Sequence, residues 1–294
     1  MQKLIEKAEV LIEALPFIQK FRNEIIVVKF GGSAMEEKVN ADGVLEDVIF
    51  MECVGMLPVI VHGGGKAISR SMKKKGIEAR FVKGLRVTCE KTIEVVQDVM
   101  NNEINPGLVK TIEQFGGRAK GVRGEDVFVV MPKDEVDAAT GEKLDLGYVG
   151  EPVGVDTGPI RELLDEKIIP VVTPLGRGPD GKVYNVNADS AAALMAKALK
   201  ARKLAFLSDV PGLLRDRSDP ASIMSTLKVG EVEELIKRGV IDGGMLPKVQ
   251  GGTDALHAGV KKVHMIDGRM QHSLLLEIFT NKGVGTEIIP DEQE

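Results

Sequence analysis

The chain has 294 residues, of which 43% are hydrophobic and 28% charged, enough for one large α/β domain or two lobes with a sizeable core. Aromatics make up 4%, there is no Trp, and the net charge of −5 comes without a long basic tract. That balance excludes a base-stacking nucleic-acid binder and a dedicated binder of anionic membranes. Cys53 and Cys89 show no metal-ligand spacing and are expected to be reduced. Apolar runs fall short of a membrane span, and Glu6, Glu9 and Glu13 stand where a transit peptide is acidic-poor. The expectation is a cytoplasmic protein without nucleic-acid or membrane partners.

Leu4, Ile5, Ala8, Leu11, Ile12, Leu15 and Ile18 recur at helical spacing, so residues 1–23 read as a helical extension. Its apolar stripe packs either on the body of the chain or on another subunit. Strands and helices then alternate. Residues 25–30 read as a strand, 41–55 as a helix, 57–61 as a strand and 65–75 as a helix. Helices follow over 89–103 and 106–115, and the Val- and Gly-rich stretch 118–155 reads as β-hairpins. A helix from Asp156 or Thr157 to about 165 leads to a buried strand at 168–173. The Gly- and Pro-rich stretch 174–182 marks a boundary between lobes over about 24–180 and 181–290. Beyond it come an alanine-rich helix to 200, a strand at 204–208, helices at 229–238 and 247–258, a strand at 263–266 and a helix at 271–280. This order predicts an α/β fold, a mainly parallel open sheet sandwiched between helices.

Two glycine turns close apolar strands: Lys29-Phe30-Gly31-Gly32 and His62-Gly63-Gly64-Gly65. Strand, glycines, then helix is how α/β folds aim backbone N–H groups at an anion. Neither turn fits the P-loop or dinucleotide spacing. Lys29 interrupts an apolar run, and a partly buried ammonium requires an anion, either a protein carboxylate or a phosphate. Asn185, Asn187 and Asp189 crowd one helix start, more polar groups than one cap needs. Ser208-Asp209-Val210 forms a turn at the carboxyl end of a strand, where such folds bind ligands. Lys248 sits near a helix N-terminus, an unfavourable place for a cation without an anionic partner. His62 reads as a residue that orients backbone, and no nucleophilic triad or zinc spacing is present.

Taken in order with Gly84-Leu85-Arg86-Val87-Thr88, Gly147-Tyr148-Val149-Gly150 and Gly243-Gly244-Met245-Leu246-Pro247-Lys248, these motifs resemble the amino-acid kinase family over nearly the whole chain. The resemblance implies a kinase domain over 24–290 that uses ATP with Mg2+. The Arg86 and Asn185 blocks are most similar to the branch whose acceptor is N-acetyl-L-glutamate, in arginine biosynthesis. It implies that Gly64, Gly65, Arg86 and Asn185 hold the acceptor. Lys29 and Lys248 would contact the transferring phosphoryl group, oriented by Asp189. Gly31, Gly32, Ser208, Asp209, Val210 and Lys248 would frame the nucleotide, and no protein-held metal site is implied. The first helix and the tail Glu277–Thr286 resemble the arginine-inhibited, hexameric branch, a trimer of dimers, with Glu277, Gly283 and Gly285 at the effector site. Alternatives at this stage are a kinase for acetylaminoadipate or another amino-acid carboxylate, and a non-catalytic arginine-binding regulator.

Overall fold

A computed structural model describes residues 2–136, 141, 143–216, 218–280 and 282–291. The side chain of Leu4, residues 137–140 and 142 of the expected hairpin stretch, and Asn281 of the tail lie outside the described residues.

Helix α1 (Gln2–Phe21) precedes β1 (Ile25–Phe30), α2 (Lys38–Cys53), β2 (Leu57–His62) and α3 (Gly65–Lys74). A short hairpin, β3 (Phe81–Val82) and β4 (Leu85–Arg86), leads into α4 (Glu90–Asp98), a π-helical turn (Val99–Ile104) and α5 (Asn105–Gln114). Next come β5 (Ala119–Val122), β6 (Phe128–Pro132), β7 (Glu135–Val136), β8 (Lys143–Leu144), β9 (Val149–Val155), α6 (Gly158–Asp165) and β10 (Ile169–Val172). They are followed by β11 (Leu175–Arg177), β12 (Val183–Val186), α7 (Ala188–Leu199), β13 (Lys203–Ser208) and β14 (Thr226–Lys228). The chain continues through α8 (Val229–Lys237), α9 (Leu246–His257), β15 (Lys262–Asp267), α10 (Ser273–Ile278) and β16 (Thr286–Ile289).

Eight strands form one sheet in the order β14-β16-β15-β13-β1-β2-β10-β5, parallel except where β16 runs against β15. The expected open, mainly parallel sheet is therefore present. The central strands are apolar at nearly every position because helices cover both faces. Side chains alternate between faces. Val27, Val59, Val61, Leu204 and Phe206 pack with Ala192 and Ala196 of α7 and Val249 and Leu256 of α9. Ile26, Val28, Phe30, Ile60, Ala205 and Leu207 pack on the other face with residues of α2, α5 and α10, and with Phe21. Lys29 has the parity of Val27, so it rises under α7 and α9.

One expectation needs correction, and another gains detail. The stretch 118–155 is not all hairpin: β5 pairs in parallel with β10 at the edge of the main sheet, and only β6 and β9 form a long antiparallel pair. Residues 174–182, expected as a boundary between lobes, also hold a strand. They contain β11, which closes a small barrel with β12, β9 and β6. Leu175-Gly176-Arg177, bracketed by Pro174 and Gly178-Pro179, reads as punctuation, and its strand pairing is tertiary.

Candidate active site

The two glycine turns lie against each other. Phe30 and His62 are in register on β1 and β2, and the Phe30 carbonyl accepts the Gly63 N–H at 2.7 Å. A Cβ built on Gly31 would sit 2.9 Å from Lys29 Nζ, so glycine here leaves room for the ammonium, and it would meet the Gly63 Cα at an ordinary contact of 3.5 Å. Gly32 has φ +67°, the left-handed region. Behind the second turn His62 is fully buried, and burial lowers it to about 4, so it stays neutral at physiological pH. Its Nδ1–H donates to the Gly63 carbonyl at 2.9 Å, while Nε2 accepts from Asn105 Nδ2 at 3.2 Å. His62 is thus a brace for the turn.

Asn187 is the cap of α7: its Oδ1 accepts the N–H groups of Asp189 and Ser190 at 2.8 and 3.1 Å. That leaves Asp189, on the first turn of α7, free to point at the sheet. Lys29 Nζ lies 3.1 Å from its Oδ1, and Lys248 Nζ, from the first turn of α9, donates to its Oδ2 at 2.8 Å. Burial pushes the Asp189 carboxyl up, but the two ammonium groups outweigh it and hold the group below the usual carboxylate range. The protein-carboxylate reading of Lys29 holds, and that carboxylate is shared with a second lysine. Two cations on one carboxylate leave one positive charge over, at the end of β1 where the glycine turns meet.

Lys29, Asp189, Gly32, Gly64, Gly65, Arg86 and Asn185 line one cleft of about 790 Å³. Arg86, on β4, is buried. It donates from Nη2 to the Gly65 carbonyl at 2.7 Å and to Ser69 Oγ at 2.9 Å, and its guanidinium lies 4.7 Å from the centre of the Phe81 ring. Among the described residues no carboxylate pairs with it, and burial lowers its pKa. Such a guanidinium is set to take an external carboxylate. Asn185, on β12, donates from Nδ2 to Thr88 Oγ1 at 3.3 Å. Ser208, Asp209 and Val210 do not line this cleft. They continue β13, the strand next to β1, where Ser208 Oγ donates to the Val210 carbonyl at 3.3 Å.

Glu277, Gly283 and Gly285 meet elsewhere, on the face that carries α1 and α10. Glu277 is buried, accepts the N–H groups of Val284 and Gly285 at 2.7 and 2.9 Å, and contacts His264 Nδ1 at 2.7 Å. These partners outweigh burial and hold it at about 2. A cavity of about 620 Å³ opens beside it, lined by Phe17 and Phe21 of α1 and by Lys203, His264, Glu277 and Glu287. Burial lowers Lys203 to about 8. Its ammonium lies 4.6 Å from the centre of the Phe21 ring.

A model described as the amino acid kinase family matches residues 24–267. The chain belongs to this family. It is an enzyme, a kinase by membership and by its relatives. An acetylglutamate kinase of Heliobacterium modesticaldum is 46% identical over 294 residues, covering 98% of this chain and 100% of that protein. One of Pelotomaculum thermopropionicum is 49% identical over 288 residues, covering 96% and 98%. Among solved structures, N-acetylglutamate synthase from Neisseria gonorrhoeae complexed with coenzyme A and N-acetyl-glutamate matches with TM-score 0.84 and 25% identity over 97% of this chain. This chain spans 64% of the synthase chain. Carbamate kinase from Giardia lamblia bound to AMP-PNP shares the fold, with TM-score 0.68 and 17% identity over 92% of this chain and 99% of that one.

Sequence reasoning missed the residues that hold this family member's site in shape. Asn105 reads as a helix start beside Pro106, yet it braces His62 and donates to the Val171 carbonyl at 2.8 Å. Ser69 and Phe81 carry no motif, and both touch Arg86. A polar residue one helical turn beyond the glycine turn was the available signal for Ser69.

Proposed function

We propose that this kinase transfers the γ-phosphoryl group of ATP to the γ-carboxylate of N-acetyl-L-glutamate, giving an acyl phosphate for arginine biosynthesis. The observation that carries the reading is Asp189 shared between Lys29 and Lys248 at one end of a cleft that also holds Arg86 without a carboxylate partner. The 46–49% identity to acetylglutamate kinases supports the same acceptor. Arg86 binds the α-carboxylate, and Gly64, Gly65 and Asn185 hold the rest of the acceptor. An oxygen of its γ-carboxylate attacks the γ-phosphorus. A P–O bond forms, the bond to the bridging oxygen breaks, and its electron pair leaves on ADP. A carboxylate with a pKa of about 4.3 is already ionised, so no general base is needed. The obstacle is repulsion between two anions, and it is met by Lys29, Lys248 and the N–H groups of the turns. Gly31, Gly32 and the Ser208–Val210 turn frame the nucleotide, which enters as its Mg2+ complex.

The tail supports a second element of the reading. Arginine binds in the cavity between α1 and Glu277, and lowers activity. An N-acetylglutamate synthase of the same fold, 26% identical over 96% of this chain, is described as complexed with L-arginine. Hydroxylamine trapping tests the whole reading: N-acetyl-L-glutamate with MgATP should give a hydroxamate, at a rate reduced by arginine. No hydroxamate from this acceptor, with turnover of another amino-acid carboxylate, would overturn it.

A further inference from the structure

Arg86 and Asn185 reach the cleft from β4 and β12, strands that belong to different sheets. One fully buried side chain lies between them. Thr88, just past β4, donates from Oγ1 to the Arg86 carbonyl at 2.8 Å and accepts from Asn185 Nδ2 at 3.3 Å. The Gly147-Tyr148-Val149-Gly150 motif, to which the transfer itself gives no task, holds Thr88 in that place. The Thr88 N–H donates to the Leu146 carbonyl at 2.9 Å, and the Tyr148 N–H donates to the Thr88 carbonyl at 2.7 Å. The Asn185 N–H donates to the Tyr148 carbonyl at 2.9 Å, so both backbones are tied to Tyr148. Gly147 makes the approach possible: it has φ +64°, and a Cβ there would lie 2.4 Å from the Thr88 carbonyl oxygen. Asp145 Oδ1 accepts the Gly147 N–H at 2.8 Å and shapes the turn.

These bonds leave one arrangement of protons. A carbonyl only accepts, so the Thr88 hydroxyl proton is taken by Arg86. Thr88 Oγ1 then offers Asn185 a lone pair alone, and Asn185 must present Nδ2 to it rather than Oδ1. An asparagine amide has two orientations of nearly equal shape, and its hydrogen bonds decide between them. Among the described residues no protein group donates to Asn185 Oδ1. Resting on the acetylglutamate reading, we propose that Thr88 is a positioning residue for the acceptor: its hydroxyl sets the orientation of the Asn185 amide before the acceptor arrives. Arg86 and Asn185 line the cleft and Thr88 does not, so it acts through its neighbours. A preset amide needs no reorientation on binding, which lowers the free-energy cost of holding the acceptor.

Thr88→Val keeps the branched shape and removes the hydroxyl, whereas Thr88→Ser keeps the hydroxyl. Thr88→Val should raise the KM for N-acetyl-L-glutamate about 10-fold, the binding equivalent of one lost buried hydrogen bond. The kcat and the KM for MgATP should stay unchanged, and Thr88→Ser should keep all three constants near the wild-type values. A double-mutant cycle separates positioning from a merely structural role. Asn185→Ala should raise the same KM, and adding Thr88→Val should raise it no further, because no amide is left to orient. Should Thr88→Val fail to fold, Thr88→Cys, with a weak donor and acceptor in the same place, carries the same cycle. A wild-type KM in Thr88→Val, or effects that multiply in the double variant, would overturn the positioning role alone. A wild type without activity on N-acetyl-L-glutamate would overturn the acceptor reading, and the positioning role with it.

Discussion

Asp189 has fewer options than its neighbours. Its two oxygens each take one ammonium, and it sits under two helices and over a sheet, so a loss of either lysine leaves charge that burial cannot screen. The proposed transfer needs the lysines aimed before the nucleotide arrives, and one shared carboxylate fixes their separation without adding a base. Lys29 approaches from a strand and Lys248 from a helix start, so the sequence distance between them says nothing of their contact. The types were readable, an ammonium in an apolar strand and a carboxylate in excess of the cap. Their meeting at one carboxylate is tertiary. Lys29→Ala should lower kcat by about 10²–10³-fold, the loss seen when one preorganised donor to a developing charge is removed. The acceptor KM should change little, because Arg86 and Gly64 are untouched. Steady-state hydroxamate assays separate the two constants, and an unchanged kcat would remove Lys29 from the transfer.

At the scale of elements, legibility followed periodicity. The strands that carry Lys29 and His62 are continuous apolar runs ended by glycine, and both lie within a residue of the positions expected from the sequence. The small barrel and the π-helical turn were not legible. Short strands such as β11 depend on pairing for their existence. A π turn has the same composition as the α-helix it interrupts. The tail gives an intermediate case. Glu277 alone reads as a helix residue, yet its carboxylate accepts two N–H groups from the loop that joins α10 to β16 and fastens that loop. A Cβ on Gly283 would lie 2.5 Å from Glu277 Oε2, and this glycine also has φ +62°, so nothing larger fits around the carboxylate. The held value of about 2 lies below the ordinary 4.5, so the stabilisation by Glu277 is fully present above pH 4.5 and is lost as pH falls toward 2. Glu277→Gln should therefore lower the thermal midpoint at pH 7 and leave it close to wild type near pH 2. Thermal melts at several pH values check this. A constant difference between the proteins from pH 7 to pH 2 would show that the charge is not what fastens the loop.

Over the whole molecule, the sheet separates the two sites. Lys29 and its partners belong to the face under α7 and α9, whereas Phe21, α10 and the cavity beside Glu277 belong to the opposite face. An effector bound there, as proposed, would act through elements that touch both sites. Helix α2 is one: Lys38, Ala41, Asp42 and Leu45 line the acceptor cleft, and its Phe50 packs edge-on against Phe279 just past α10, with ring centres 5.6 Å apart. Buried Asp47 of α2 also contacts Nδ1 of His272, the residue just before α10, at 2.6 Å, which ties the start of α10 to another helix. Helix α1 adds the link proposed between copies. Phe17 and Phe21 anchor its end in the core, and Pro16 marks the start of that anchored turn. Before the proline, Leu11 and Ile12 of the apolar stripe read from the sequence are 67% exposed, and Ile5, Ala8 and Leu15 are exposed as well. The proposed cover is a second copy of α1, in a ring of dimers joined by their first helices. Deleting residues 1–15 keeps Phe17 and Phe21 in place. It should convert a hexamer into dimers by light scattering, retain basal kinase activity and weaken inhibition by arginine. A full-length protein that is already dimeric would remove the ring. A truncated hexamer would move the contact between dimers away from α1.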